Sequence, residues 1–175
     1  MSEQEKLKAV MRRVPQGVTV IATSYLGRLW GLTVSSFTSL SLEPPLALAC
    51  ISKSSKVHGP LTSAPYFCVN VLAEDQAELS ELFAGRRQVQ GDRFSEVRYR
   101  LTARGLPLLE GALAWLECER WAVYDGGDHT ILVGRVLDGG LGPEGRPLVY
   151  YGRRYAALSE REAALLFAGP ELGEW

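Results

Sequence analysis

The sequence predicts a mainly β protein, an antiparallel barrel with peripheral helices. Three observations carry this. Short runs rich in β-branched and apolar residues recur along the chain, separated by Gly, Pro and Asp turns. Two long strand patterns, Ala112 to Tyr124 and Thr130 to Leu137, flank the turn Asp125-Gly126-Gly127-Asp128. The βα alternation of a dinucleotide fold is missing, and so are its Gly-x-Gly-x-x-Gly turn and the Walker phosphate loop. Roughly seven or more strands joined by hairpin-like turns fit a sheet that closes on itself.

Taken in order, Ser2 and Glu5 form a capping-box pattern ahead of Leu7, Val10, Met11 and Val14, which predicts a short amphipathic helix ended by Pro15 and Gly17. Gly17 to Tyr25 is rich in β-branched residues, and Leu26-Gly27-Arg28 predicts a hairpin connection into Leu29 to Phe37. Pro44 to Ser52 is a further short β-like run. Ser54 to Ala64 predicts a short helix or helical turn, and Tyr66 to Leu72 a strand. Glu74 to Ala84 carries Ala77, Leu79, Leu82 and Phe83 at helical spacing and stops at Gly85. Gly85 to Arg104 is charged and Gly-punctuated, a long ordered loop. After the two long strands, Leu148 to Tyr151 and Arg154 to Leu158 predict a last pair. Ser159 and Glu162 repeat the capping-box signal before Ala163, Leu166 and Phe167, predicting a closing helix.

Composition narrows the function class. At 175 residues the chain suits a single domain over 1–175, with a core at about 7–158 and a helical tail at 159–175. A formal net charge of −1 gives no global attraction to nucleic acid or an anionic membrane. No segment approaches the ~20 apolar residues a membrane helix needs, and the acidic N-terminus lacks the apolar core of a signal peptide. Cys50, Cys68 and Cys118 are odd in number, far apart and set among apolar residues, which predicts reduced core thiols in a cytoplasmic protein. With only His58 and His129 beside them, no metal site is expected.

The chemistry-bearing stretch runs from Gly31 to Pro45. Thr33, Ser35, Ser36, Thr38 and Ser39 alternate with apolar residues until Pro44-Pro45. Buried hydroxyls need partners. Such a run fits either a strand edge bonded to its own backbone or a wall gripping a large, flat, partly polar ligand. Ser52-Lys53-Ser54-Ser55-Lys56 follows an apolar strand and precedes a predicted helix. It fits a phosphate site at a helix N-terminus or a capping turn with solvated lysines. His129, in Gly127-Asp128-His129-Thr130-Ile131, opens a strand and can offer a ring nitrogen beside a reactive group, or be structural. Arg93, in Gly91-Asp92-Arg93-Phe94, suits a phosphate, a partner subunit or a local ion pair. Pro147 to Tyr155 predicts a core strand pair with Arg154 or Tyr155 bordering a ligand.

Together these residues resemble the flavin reductase-like family with the FMN-binding split β-barrel, antiparallel and Greek-key-like with peripheral helices. That family includes the reductase components of two-component flavin monooxygenases of the hydroxyphenylacetate and phenol hydroxylase type. The resemblance spans about Leu7 to Leu158. It rests on Gly17-Val18-Thr19-Val20, Gly31 to Phe37, Ser39 to Leu46, Phe67 to Leu72, Phe83-Ala84, Asp92-Arg93-Phe94, Gly127 to Ile131 with Gly134-Arg135-Val136, and Pro147 to Tyr151 before Tyr155.

The resemblance implies a homodimer binding FMN or FAD near its interface, with NADH or NADPH as co-substrate. The reduced flavin would pass to a partner monooxygenase. Thr33, Val34, Ser35 and Ser36 would line the isoalloxazine. Ser39, Ser52, Ser54, Ser55 and Lys56 would serve the ribityl and phosphate parts, with Arg93 near phosphate. His129 and Tyr155 would lie on the nicotinamide side, His129 as a positioning residue and no side chain as acid or base. Val57 departs from the family, many members of which carry Thr there. The alternatives are a non-catalytic flavin or haem-type binder acting as electron store or sensor, a pyridoxamine-phosphate-oxidase-like protein, and an interaction module.

Overall fold

The computed structural model describes Met1–Ser159, so the closing helix expected beyond Ser159 lies outside the described residues. The elements are α1 (Glu3–Met11), β1 (Gln16–Gly17), β2 (Thr19–Tyr25), β3 (Arg28–Val34), β4 (Thr38–Leu42), β5 (Pro45–Ser52), α2 (His58–Ser63), β6 (Tyr66–Val71) and α3 (Ala77–Phe83). A 3-10 turn at Arg93–Glu96 follows, then β7 (Tyr99–Leu101), β8 (Pro107–Leu109), β9 (Ala114–Gly126), β10 (His129–Leu141), β11 (Leu148–Tyr151) and β12 (Arg154–Ala157). Seven strands form one antiparallel sheet in the order β3-β2-β6-β9-β10-β5-β4. A smaller β1-β11-β12 sheet and the β7-β8 pair lie against it.

Most strands stand where hydrophobic patterning puts them. The β2–β3 hairpin turns on Leu26 and Gly27 at φ 51° and 76°, the two positive values a two-residue turn with matching twist requires. Ser2 and Glu5 complete the capping box of α1 reciprocally. Other elements differ from the sequence reading. The hydroxyl-rich run is two strands: β3 ends at Val34, Ser35 to Phe37 cross over, and β4 starts at Thr38. Helix α2 begins at His58 because Ser52 to Val57 are bound up in turns, with Ser55 N–H donating to Ser52 O and Val57 N–H to Ser55 Oγ at 3.2 Å. The Gly85 to Arg104 stretch contains the 3-10 turn and β7.

The core has two parts separated by β2. Ile21 faces the barrel interior with Val34, Ala49, Ile51, Leu61, Phe67, Val69, Cys118 and Leu132. Val20 and Ala22 face the other way, into a layer built by Leu72, Leu82, Phe83, Phe94, Leu106, Leu108 and Leu148. All residues from Thr19 to Thr23 are therefore buried, which a strand covered on both faces demands. Phe83 and Leu82 dock α3 on this layer, each buried side chain stabilising the fold by ~1.5–3 kcal/mol. Fully buried Asn70 fixes β8 beneath it: its Oδ1 accepts from Leu109 N–H at 2.8 Å, and its Nδ2 donates to Pro107 O at 3.3 Å. Buried Glu117 is neutralised by Arg104, whose guanidinium is held charged by that hydrogen bond.

Cys50, Cys68 and Cys118 are all unpaired. Burial pushes the Cys118 thiol up to about 12 and that of Cys68 higher than an ordinary thiol. Among the described residues no cluster of ligating side chains could hold a metal, and no helix is long and apolar enough to cross a membrane.

Gly134 sits beside a register shift of the β9–β10 ladder, where an added Cβ would meet the Phe67 ring and come within 2.7 Å of Cys118 Cβ. Gly134→Ala is expected to cost ~1–3 kcal/mol through overpacking. A urea midpoint shifted down with an unchanged slope would bear this out. An unshifted midpoint would mean the barrel interior has room at that point.

Candidate functional site: the mouth of the barrel around β3 and β5

The open edges of β3 and β5 meet where the chain crosses from β3 to β4. Strand β4 pairs with β5 only from Leu42↔Pro45 to Thr38↔Leu48, so β5 beyond Leu48 has no strand on that side. Ser36 fills the gap. Cys50 N–H donates to Ser36 Oγ at 3.0 Å, and the Ser36 hydroxyl donates to Cys50 O at 3.1 Å. Both roles of one hydroxyl are thereby used. Val34, just before it, is buried in the barrel and accepts from Thr19 Oγ1 at 2.8 Å through its carbonyl. Ser39 lies opposite Ala47 on exposed β4.

Further along β5, Ser52 stands opposite His129 in the β5–β10 register. Ser52 and Ser54 share a hydroxyl–hydroxyl hydrogen bond of 2.9 Å. His129 Nδ1 is 2.7 Å from Asp128 Oδ1, and Lys53 pairs with Asp125. The hydrogen bond from His129 holds the Asp128 carboxyl below the ordinary carboxylate range, and Lys53 does the same to Asp125. The hairpin tip is thus a set of locally satisfied charges. Behind it, His58 Nε2 and Thr130 Oγ1 bond at 2.8 Å and tie α2 to β10.

Thr33 faces the opposite way. Its hydroxyl donates to Ser80 O on α3 at 2.6 Å. With Ser35, Ser80, Arg86 and Tyr155 it lines a recess of about 130 Å³. The Tyr155 hydroxyl donates to Glu81 and lies 2.9 Å from Ser80 Oγ. Burial first, then the hydrogen bond to the Glu81 carboxylate, raises the phenol above its usual value.

A larger cleft, about 430 Å³, opens between β3 and the segment from Gly85 to Phe94. Lys56 and Arg93 line it, together with Arg28 and Trp30. Arg93 donates to Phe83 O at 3.1 Å, and its guanidinium lies 3.0 Å from where a Cβ on Gly85 would stand. Gly31 lets this wall close up, since a Cβ there would come within 2.8 Å of the Phe83 ring.

Nine of the twelve residues singled out in the sequence therefore fall into three adjoining groups. Ser36, Ser52, Ser54 and His129 collect along β5. Thr33, Ser35 and Tyr155 form the recess, while Lys56 and Arg93 belong to the cleft. Ser55 caps its own turn, Val34 is core, and Ser39 is an exposed edge position. Sequence reasoning missed Ser80 and Glu81, whose only signal is the polar face of α3, and Arg86, three residues past its end. It also missed Arg28 and Trp30, which flank the hairpin turn.

Residues 11–159 match the flavin reductase like domain family. The chain belongs to that family. It is 41% identical over 155 residues to the reductase component of 4-hydroxyphenylacetate 3-monooxygenase from Thermus thermophilus, covering 89% of this chain and 97% of that protein. It is 38% identical over 164 residues to the actinorhodin polyketide dimerase of Streptomyces coelicolor, covering 93% and 91%. Among solved structures, the NADH:FAD oxidoreductase of Streptomyces globisporus in complex with NAD and FAD fragments superposes with a TM-score of 0.84. It is 35% identical and covers 91% of this chain and 95% of that one. The antiparallel seven-stranded sheet with its peripheral helices is the split barrel of these flavin reductases.

The mouth fits a flavin on its own chemistry. The hydroxyls of Thr33 and Ser36 are committed to Ser80 and Cys50. Among the described residues those of Ser35 and Ser39 have no such bond, and β3 beyond β2 has an open backbone edge. These are short donors and acceptors beside apolar Val34 and Leu32, with uncompensated Lys56 at one end.

Because the folded value of Tyr155 is raised, its contribution to stability is present below the unfolded value of about 10 and is lost as pH rises through the folded value. The difference in urea midpoint between the protein and Tyr155→Phe should be constant from about pH 6 to 9, worth ~1 kcal/mol, and shrink above about pH 10. A difference that grew at alkaline pH would refute this placement of the proton.

Proposed function

We propose that this chain is an NAD(P)H:flavin oxidoreductase that passes reduced flavin to a partner monooxygenase. The observation that carries this reading is the barrel mouth. There the Ser36 closure sets a hydroxyl-lined edge on the same strand, β5, whose far end faces His129. When bound, flavin and reduced nicotinamide supply the hydride transfer between them. The chain then has to bind, align and exclude, and it needs no nucleophile or general base.

His129 is the positioning residue on the nicotinamide side. With Nδ1 engaged by the Asp128 carboxylate, the ring leaves Nε2 for the nicotinamide carboxamide. Thr33 to Ser36 provide the wall for the flat ring through their backbone and through the Ser35 hydroxyl. Ser39, Ser52 and Ser54 serve the polyol, with Ser55, Lys56 and Arg93 toward phosphate. Tyr155 closes the recess side.

The reading extends to a single-domain chain that works in the cytoplasm as a homodimer. Unpaired Cys50, Cys68 and Cys118 support a reducing compartment. The dimer is supported by the large apolar side chains left exposed on β4 and β9: Leu40, Leu42, Trp121 and Val123. A sedimentation mass of one chain would remove it.

The direct test follows NADH and NADPH absorbance with FMN and FAD in turn. Oxidation of either nucleotide that depends on added flavin supports the reading, and flavin bound without turnover would make the protein a store or sensor. His129→Ala is expected to raise KM for the nicotinamide nucleotide about tenfold, the loss of roughly one hydrogen bond. Flavin affinity should change less than about twofold. Normal nucleotide kinetics in that variant would take His129 out of the site.

A further inference from the structure

The end of the β9–β10 hairpin far from its tip carries an apolar surface that the reductase reading leaves unused. Leu141, opposite Ala114 in the ladder, is 90% exposed. Three adjoining recesses of about 440 to 480 Å³ each include Leu141 in their walls. One passes over Trp115 and Leu116, one reaches Tyr99 and Leu109, and one reaches Leu113 and Arg146. Part of the floor is bare backbone. The Trp115 indole lies against Gly140, where a Cβ would come within 2.8 Å of its Nε1. Leu101, 54% exposed, continues the surface along β7 on the same face as Tyr99. A contiguous apolar surface of this kind marks a place where something binds. It is separate from the exposed side chains assigned above to the dimer, because Trp121 and Val123 stand toward the other end of the same hairpin.

Two observations point to the occupant. The described chain ends at the rim: Arg146, which shares a recess with Leu141, donates to Leu158 O at 3.4 Å. Beyond it the sequence reads Ser159-Glu160-Arg161-Glu162 and then Ala163-Ala164-Leu165-Leu166-Phe167-Ala168, six apolar residues bounded by Gly169-Pro170. Four extended residues reach up to ~13 Å, enough to carry the apolar run from that rim across a recess of about 480 Å³ to Leu141. Charge at the rim agrees with such an occupant. Arg100 and Arg146 stand against Glu110 and Glu144, a nearly neutral border that favours an apolar run over a charged partner.

We propose that this surface seats the chain's own Ala163 to Ala168 segment, laid over Leu141 and Trp115 of the same molecule. The proposal stands apart from the reductase reading, since His129 opens β10 and Leu141 closes it. Tethering favours the chain's own segment over a second molecule, because a short linker holds it at an effective concentration on the order of millimolar. Left bare, the same patch would invite self-association.

The test puts a thiol reporter into the full chain. Leu141→Cys is made alone and together with Leu165→Glu and Phe167→Glu. Lys8→Cys, on exposed α1, is the reference in both backgrounds. Maleimide modification is followed by peptide mass spectrometry, which separates the introduced thiol from Cys50, Cys68 and Cys118. Each rate is divided by that of the same thiol in urea-unfolded chain. With the native segment, the position-141 thiol should react at least about fivefold more slowly than with the two glutamates, since a covered thiol reacts only when its cover opens. That protection should be the same at every protein concentration, and the position-8 thiol should be unprotected throughout.

Three results overturn the proposal. A position-141 thiol unprotected beside the native segment means an open surface. Protection that survives the glutamates means another part of the chain or a bound partner covers it. Protection that rises with protein concentration means a second copy does. Should the glutamates unfold the chain, Leu141→Cys is paired in turn with Leu165→Cys, Leu166→Cys and Phe167→Cys. Mild oxidation should then form a disulfide within one chain in at least one pair, and failure of all three overturns the proposal equally.

Discussion

The barrel mouth depends on one hydroxyl. Strand β5 loses its neighbour after Leu48, because β4 turns away, and the backbone of Cys50 is left facing inward from a sheet edge. An orphaned buried N–H or C=O costs about 1–3 kcal/mol. Ser36 satisfies both groups of Cys50 with a single side chain. An apolar residue in its place would leave both groups unpaired. The consequence is positional. By tying the crossover to β5, Ser36 brings the end of β3 to the strand that carries Ser52 opposite His129. The split in the sheet is bridged at this point, and the hydroxyl-lined wall is a by-product of how the sheet is closed.

The second constraint comes from behind β3. Helix α3 and the 3-10 turn press directly on that strand because Gly31 has no side chain to keep Phe83 and Phe94 away. Their rings meet at 4.9 Å, tilted by 57°, and form part of the layer that buries the outer face of β2. This packing decides where the polar face of α3 goes. Ser80 and Glu81 are delivered to Thr33 and Tyr155, and Arg93 is drawn in beneath the same strand. A hydrophobic contact on one side of a strand thus sets the polar geometry on its other margins.

Much of this was legible from the residues. The long strands, the β2–β3 turn, α3 and the capping box of α1 follow from periodicity and from turn chemistry that acts over a few residues. The elements that escaped notice are short and owe their existence to distant partners. Strand β1 exists because Val18 N–H reaches Leu148 O, and β8 because Asn70 holds Pro107 and Leu109. No local pattern announces either. At the site, the residue types were legible and their employment was not. Five hydroxyls in one run suggest a ligand wall, yet Thr33 and Ser36 spend theirs on Ser80 and Cys50, partners 47 and 14 residues away. The short helix or helical turn expected over Ser54 to Ala64 is divided for a related reason. Ser52 to Val57 satisfy their groups within turns, so the helix starts only at His58.

The distribution of charge follows from the same logic. At the tip of the β9–β10 hairpin each basic side chain has a carboxylate: Lys53 has Asp125, and His129 has Asp128. Exposed pairs of this kind contribute little to stability, so their value lies in orientation. His129 keeps one ring nitrogen occupied and the other available. Around the cleft, Lys56 and Arg28 have no carboxylate partner among the described residues, although the chain as a whole has 20 acidic residues to 19 basic. In a nearly neutral protein, local pairing in one place and its absence in the next amounts to a field with a direction. Positive charge at the cleft is left to act on its surroundings, whereas at the hairpin tip it is spent on neighbouring carboxylates.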